Sequence, residues 1–333
     1  MNYQAKNILI TGGCGFIGSN FIHYLLAKNS TVTIVNVDLL TYAGALTNVE
    51  PVSDPARYTF VQGDIGDAVL IAHLLREHQI DTIIHFAAES HVDRSIAGPA
   101  AFVNTNIMGT FVLLEAARWY WLTEQQWGSD QCRFHHISTD EVYGTLTVED
   151  PAFSETTPYA PNSPYSASKA GSDHLVRAYF HTYGLPMTLS NCSNNYGPRQ
   201  HAEKFIPTII RTALANLPIP VYGDGSNIRD WLYVTDHCDA IWQIIQRGTV
   251  GEAYNVGGNN EWTNLAIVQH ICAMLDEAVP RVTPYRDLIT FVTDRAGHDW
   301  RYAIDATKIQ QQLHWFPLES FETGMSKTLD FYC

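Results

Sequence analysis

The chain has 333 residues, 46% of them hydrophobic and 16% charged, which describes a folded globular protein with material for a large core or two lobes. A formal net charge of −14 excludes a broad nucleic-acid or anionic-membrane surface, because either needs clustered positive charge. An anionic small molecule remains open to it through a local basic pocket.

The stretch 7–11 predicts a first strand and 20–28 a helix, and between them lies Thr11-Gly12-Gly13-Cys14-Gly15-Phe16-Ile17-Gly18. Glycines at this junction allow a tight turn and let backbone N–H groups reach a pyrophosphate at a helix N-terminus. A second strand, 32–37, ends at Asp38, twenty residues past Gly18, where a carboxylate accepts hydrogen bonds from an adenosine ribose and repels a 2′-phosphate. The spacing therefore points to NAD rather than NADP. A strand at 58–62 leads to Asp64-Ile65 and a helix at 68–78; a strand at 82–86 leads to Ala87-Ala88-Glu89-Ser90 and a helix at 107–120. This βαβα alternation predicts a doubly wound parallel sheet of Rossmann type, with strand-end segments facing the ligand.

The next strand, 134–137, runs into Ser138-Thr139-Asp140-Glu141, two adjacent acids where strands of such sheets deliver their chemical groups. Further on, Tyr165 and Lys169 stand four residues apart, on one face of a helix over 165–183, where an ammonium can stabilise a phenolate. His135 and His136 are neighbours on a strand and point to opposite faces, so they do not chelate one ion. Beyond residue 190, Pro and Gly cluster at 196–198, 217–220 and 221–225, marking a smaller, loop-rich C-terminal lobe with helices at 236–247 and 264–277. The division expected is an NAD-binding domain over 1–190 with a return segment at 232–256, and a substrate lobe over 191–231 and 257–333.

The six cysteines, at 14, 132, 192, 238, 272 and 333, show no metal-ligand spacing and no C-x-x-C pair, so neither a metal nor disulfides are expected. Met1–Lys6 lacks a signal-peptide core, and no apolar run was expected to approach the roughly 18 residues of a membrane span. The expectation is a cytoplasmic protein.

The fingerprint T-G-G-x-G-F-I-G, the strand ending in Thr139 and the Tyr165-x-x-x-Lys169 motif together resemble the extended short-chain dehydrogenase/reductase family. "AAESHVDRS" (87–95), "STDEVYG" (138–144), "SPYSASKA" (163–170), "NCSNNYGP" (191–198), "RDWLYV" (229–234) and "DRAGHDWRYAID" (294–305) resemble its sugar-nucleotide 4,6-dehydratases, nearly end to end. That resemblance implies an NAD-dependent hydro-lyase acting on dTDP-glucose, in which Tyr165, Lys169 and Thr139 serve oxidation at C4 while Glu141 and Asp140 remove the C5 proton and protonate the departing 6-hydroxyl. It implies NAD contacts from Gly12, Gly15, Phe16, Ile17, Gly18, Asp38, Asp64, Ile65, Ala87, Ala88, Ser90, Thr105, Tyr165, Lys169 and Asn195. On the substrate side it implies Ser90, Thr139, Asn194, Glu203, Lys204, Arg229, Asn264 and His298, and a homodimer joined through 107–120 and 165–183. Two departures stand out: Cys14 where relatives commonly carry Ala, and Arg199 where they often carry an aromatic residue. The alternatives are an epimerase or decarboxylase of the same fold, a dehydratase for a UDP-, CDP- or GDP-sugar, and a non-catalytic NAD-binding regulatory protein. The acid pair speaks against the first two.

Overall fold

A computed structural model describes residues 3–294 and 298–333. Its strands are β1 (Asn7–Thr11), β2 (Thr33–Asp38), β3 (Tyr58–Gln62), β4 (Thr82–His85), β5 (Arg133–Thr139), β6 (Met187–Cys192), β7 (Asn194–Tyr196), β8 (Ile219–Tyr222), β9 (Ile228–Tyr233), β10 (Ala253–Val256), β11 (Glu261–Thr263) and β12 (Ile289–Val292). Seven of them form one parallel sheet in the order β10-β6-β5-β4-β1-β2-β3. The order reverses beside β1, since β2 and β3 extend one way and β4 the other; such switch points are where ligands bind. Two small sheets, β11-β9-β7 and β12-β8, belong to the C-terminal half.

Helices cover both faces because the strands are apolar on both sides. On one face, Phe21, Ile22 and Leu25 of the helix Phe16–Lys28 pack with Ile241 and Ile245 of the helix Val234–Arg247. On the other, Leu74, Leu113, Leu114, Trp121 and Val176 meet under the helices that follow β3, β4 and β5. Within the segment 232–256, that second helix lies against the N-terminal one and β10 pairs with β6, whereas Ile228–Tyr233 pairs with β7 and β11.

Several boundaries differ from the sequence reading for identifiable reasons. The first helix begins at Phe16, with Gly18 inside its first turn, so glycines read as loop are partly helical. The helix expected over 107–120 is a longer helical segment, Pro99–Glu124, which starts with Pro99 in the first turn and contains wider π-type stretches at Val103–Gly109 and Arg118–Glu124. At 26 residues it is long and apolar enough to cross a membrane by length and composition alone, contrary to the expectation that no run reaches that length. One side of it is buried in the protein core, however: Phe102, Leu113, Leu114, Ala117 and Trp121 are all enclosed. The helix Pro164–Tyr183 opens on a reciprocal cap, with Ser163 and Ser166 each bonding the other's backbone N–H, and Pro164 in its first turn. Of the 294–305 motif, Arg295, Ala296 and Gly297 lie outside the described residues, as do Met1 and Asn2 of the N-terminal segment.

Candidate active site

A cavity of about 330 Å³ opens along the carboxyl ends of β1, β2, β4, β5 and β6. Its floor begins at the first strand-to-helix turn. Gly12 has φ +72°, and a Cβ there would sit 2.6 Å from the Cα and N of Ala87; a Cβ on Gly18 would sit 2.4 Å from the Gly12 carbonyl oxygen. Only glycine allows the turn to lie this close to the end of β4. Gly15 occupies the N-cap of the helix Phe16–Lys28 and offers no side-chain cap, which leaves the positive end of the helix facing the cavity for an anion.

Asp38 closes β2 against this turn. One carboxylate oxygen accepts from the Cys14 N–H and the other from the Leu40 N–H, both at 2.8 Å, while burial pushes its carboxyl upward against those hydrogen bonds. It also lines the cavity, so the oxygens that fix the loop face the region a ribose would occupy. Asp64, Ile65, Ala87, Ala88, Ser90, Thr105 and Asn195 complete that wall with Phe16 and Ile17. The cradle and the uncapped helix end fit a bound dinucleotide.

The chemical end lies on β5. Thr139 is its last residue, and Asp140 and Glu141 begin the short 3₁₀ turn Asp140–Tyr143. Thr139 Oγ1 accepts from the Glu141 N–H at 3.3 Å and lies 3.3 Å from Asp140 Oδ1. Asp140 is only 2% exposed, and its Oδ2 has no hydrogen-bond partner among the described residues. Burial, then the nearby Glu141 and Asp230, hold its carboxyl well above the usual range, outweighing the opposing Arg229 charge. Burial and its carboxylate neighbours thus favour the protonated form of Asp140, the form that can give a proton away.

Across from it, Tyr165 and Lys169 rise from the helix Pro164–Tyr183 and both face the cavity. Burial and then Glu141 raise the Tyr165 phenol, and the Thr139 hydroxyl hydrogen-bonds it and pulls the other way. Lys169 Nζ donates to the Ile137 carbonyl at 2.7 Å, and burial lowers its ammonium. All five groups expected to do chemistry therefore border one cavity.

Of the substrate-side residues, Ser90, Asn194 and Lys204 reach the cavity wall, with Lys204 Nζ donating to the Ser90 carbonyl at 3.0 Å. Glu203, Arg229, Asn264 and His298 lie off that wall. Glu203 pairs with Arg94 at 3.0 Å, and His298 Nδ1 is 2.7 Å from Asp294. Arg229 is 5% exposed, stacks on the Tyr302 ring and donates to the carbonyls of Ile228, Asp299 and Trp300. Asn264 starts the helix Asn264–Ala278, its N–H bonded to the Asn227 carbonyl. Arg199 turns away to Asn20 and the Phe331 ring rather than into the cavity.

Residues not singled out from sequence also shape the site. Asp230 is 1% exposed and accepts from the Gly258 and Asn260 N–H groups at 2.8 and 2.6 Å; burial raises its carboxyl, and it in turn raises that of Asp140. Asn106 bonds both the N–H and the carbonyl of Glu89, pinning the loop after β4. Asp173 and His136 lie under Lys169. For Asp173 a signal existed: it continues the four-residue spacing of Tyr165 and Lys169 along the same helix face.

A profile of the GDP-mannose 4,6 dehydratase family matches residues 9–328. The chain is 57% identical over 326 residues to a dTDP-glucose 4,6-dehydratase of Xanthomonas campestris pv. campestris, covering 97% of this chain and 92% of that one. Among solved structures, the dTDP-glucose 4,6-dehydratase of Streptomyces venezuelae with NAD bound superposes with a TM-score of 0.88 at 44% identity, covering 98% and 96% of the two chains. That of Bacillus anthracis in complex with NAD gives 0.87 at 45% identity, with the same coverage.

The Gly12 contact sets the first prediction. Gly12→Ala adds a Cβ at 2.6 Å from the Ala87 backbone on a positive φ, a clash and strain that together cost roughly 1–3 kcal/mol. The dinucleotide retained by purified protein, read by absorbance after denaturation, should fall about tenfold or more; undiminished nucleotide would contradict the cradle.

Proposed function

This chain belongs to the GDP-mannose 4,6 dehydratase family, and from that premise we infer that it converts dTDP-glucose into dTDP-4-dehydro-6-deoxyglucose and water, as an NAD-dependent hydro-lyase. The family profile is named for one sugar nucleotide, whereas the relatives described above act on dTDP-glucose by name, and the substrate follows them. The observation that carries the reading is a buried Asp140, its carboxyl raised by burial and by the adjacent Glu141, beside the Tyr165–Lys169 pair on one cavity. Oxidation alone would need no such acid.

When bound, NAD takes a hydride from C4 of the glucose and returns it to C6. Tyr165 Oη accepts the proton of the 4-hydroxyl, with Thr139 hydrogen-bonded to it, while the Lys169 ammonium one helical turn on is placed to favour the phenolate. The ketone so formed acidifies the C5–H bond, and Glu141 takes that proton. Asp140 gives its proton to the departing 6-hydroxyl, which leaves as water. Glu141 then returns a proton to C5. Lys204 supplies positive charge beside Ser90 and Asn194 for the diphosphate, and Asn195 and Thr105 stay on the cofactor side. Glu203, Arg229, Asn264 and His298 contribute from outside the present cavity wall, through the loops they anchor.

Residues 1–190 with 232–256 form the NAD-binding domain, and 191–231 with 257–333 the sugar-nucleotide lobe. Membership of β10 in the large sheet supports the return segment. A homodimer through the helices Pro99–Glu124 and Pro164–Tyr183 is supported by the exposed apolar groups Val103, Met108, Phe111, Trp119 and Tyr183 on them. The free cysteines, five of them buried, suit a reducing, cytoplasmic setting, and cell fractionation would show otherwise if the protein were secreted.

Purified protein given dTDP-glucose should yield the 4-keto-6-deoxy product by mass and NMR without stoichiometric NADH; turnover of UDP-glucose or GDP-mannose instead would overturn the base assignment. Asp140→Asn should lower kcat by about 10²–10⁴ at the water-loss step while solvent-independent oxidation at C4 survives, and Tyr165→Phe should suppress oxidation itself by a similar factor. Full activity in either would sink the roles given. Sedimentation equilibrium should return twice the 37.3 kDa chain mass, and a single-chain mass would remove the dimer.

A further inference from the structure

Beneath the proton-transfer pair lies a stack of polar groups fully withdrawn from water. Tyr165, Lys169 and Asp173 are spaced four apart on the helix Pro164–Tyr183, forming one stripe that faces β5. From β5, His136 and Ser138 point back at it, being two apart on the same strand face. Asp173 is 0% exposed. Its Oδ2 accepts from Ser138 Oγ at 2.7 Å and from Tyr159 Oη at 3.0 Å, and its Oδ1 lies 3.2 Å from His136 Nε2. The same His136 nitrogen is 3.4 Å from Lys169 Nζ and 3.2 Å from Ser172 Oγ.

A buried ammonium is costly unless an opposite charge shares its enclosure. We propose that Asp173 is a positioning residue for the dehydratase reaction: its carboxylate, packed with His136 beneath Lys169, is the buried counter-ion that keeps Lys169 charged and held against the Ile137 carbonyl beside Tyr165. The proposal rests on the function given above. The charges around Lys169 support it. Burial drives the His136 imidazole down to about 4, so it is neutral at physiological pH and donates or accepts hydrogen bonds without adding charge. His85 on β4 is held neutral in the same way, and Cys192 on β6 is a thiol raised by burial. Arg177, one turn beyond Asp173, acts on Tyr143 and Tyr159, and those two phenols are themselves raised by burial. Asp173 is thus the carboxylate that answers Lys169 in this layer: burial pushes it up, but the His136 and Ser138 hydrogen bonds and the Lys169 charge bring it below its ordinary value. Burial lowers Lys169, and Asp173 is the leading influence in the opposite direction.

The sign follows directly. Without the Asp173 charge the Lys169 ammonium loses its proton at lower pH, and the alkaline limb of kcat/KM moves down. Asp173→Asn, which keeps a side-chain oxygen for Ser138 and Tyr159, should displace that limb by roughly one to three pH units, the effect of an opposite charge at close range. Tyr159→Phe, which keeps the carboxylate and removes one of its hydrogen bonds, should leave the limb in place. An unmoved limb in Asp173→Asn, whatever its rate, overturns the proposal. Stability supplies a reading independent of turnover. Lys169→Met combined with Asp173→Asn should melt higher than Asp173→Asn alone, or restore soluble protein if the single variant does not fold. Strict additivity of the two substitutions, or no rescue, refutes the pairing even if the chain proves to act on another sugar nucleotide.

Discussion

The edge of the large sheet is stepped, and the site depends on that step. β1 and β4 end level, Thr11 opposite His85, and the pairing of β4 with β5 ends there too, at His136. β5 and β6 continue together for three more residues, from Ile137 opposite Ser190 to Thr139 opposite Cys192. Three residues of extended chain raise Thr139 and the acids after it by about 10 Å above the glycine turn. The low side of the step carries the glycine turn at Gly12 and Gly18; the high side carries Thr139, Asp140 and Glu141. Tyr165 and Lys169 stand beside the high side because their helix packs on β5, with Lys169 bonded to the Ile137 carbonyl within the overhang.

Burial on the high side does opposite things to neighbouring acids. Asp140 has an unpartnered oxygen and two carboxyl groups near it, and its carboxyl is held well above the ordinary range. Asp173 and Asp230 are equally withdrawn from water, yet His136, Ser138 and Lys169 bring the former below its ordinary value, whereas two backbone N–H groups only partly offset the burial that raises the latter. Hydrogen bonding and neighbouring charge, rather than depth alone, set how far each carboxyl moves and in which direction. Three aspartates in one neighbourhood thereby take different tasks.

Much of this was legible in the sequence because it is local. A glycine turn after an apolar run, Asp38 at the end of the next, and the Tyr165–Lys169 spacing each follow from a few neighbouring positions. The apolar stretch 134–137 marks the body of β5, and the polar Ser138 and Thr139 extend it, both pairing with β6. The off-wall positions of Arg229 and His298 were not readable: Arg229 spends its donors on carbonyls some seventy residues away, a contact no periodicity encodes. The same holds for Asp173, whose partners His136, Ser138 and Tyr159 meet it only once the helix has docked on β5. The helix Pro99–Glu124 extends beyond the 107–120 stretch because the polar segment Asn104-Thr105-Asn106 is taken into a π-type turn rather than ending the helix.

The N-terminal helix Phe16–Lys28 buries Phe21 and Ile22 against Ile241 and Ile245, some 220 positions further along the chain. On a ribosome adding about 5–20 residues per second, that apolar face emerges early and waits roughly 10–45 s for its cover. The strand β10, which closes the opposite edge of the sheet against β6, arrives later still. The nascent chain therefore carries a half-clad hydrophobic surface through most of its own synthesis, and a chaperone would have its longest opportunity at the oldest part of the molecule.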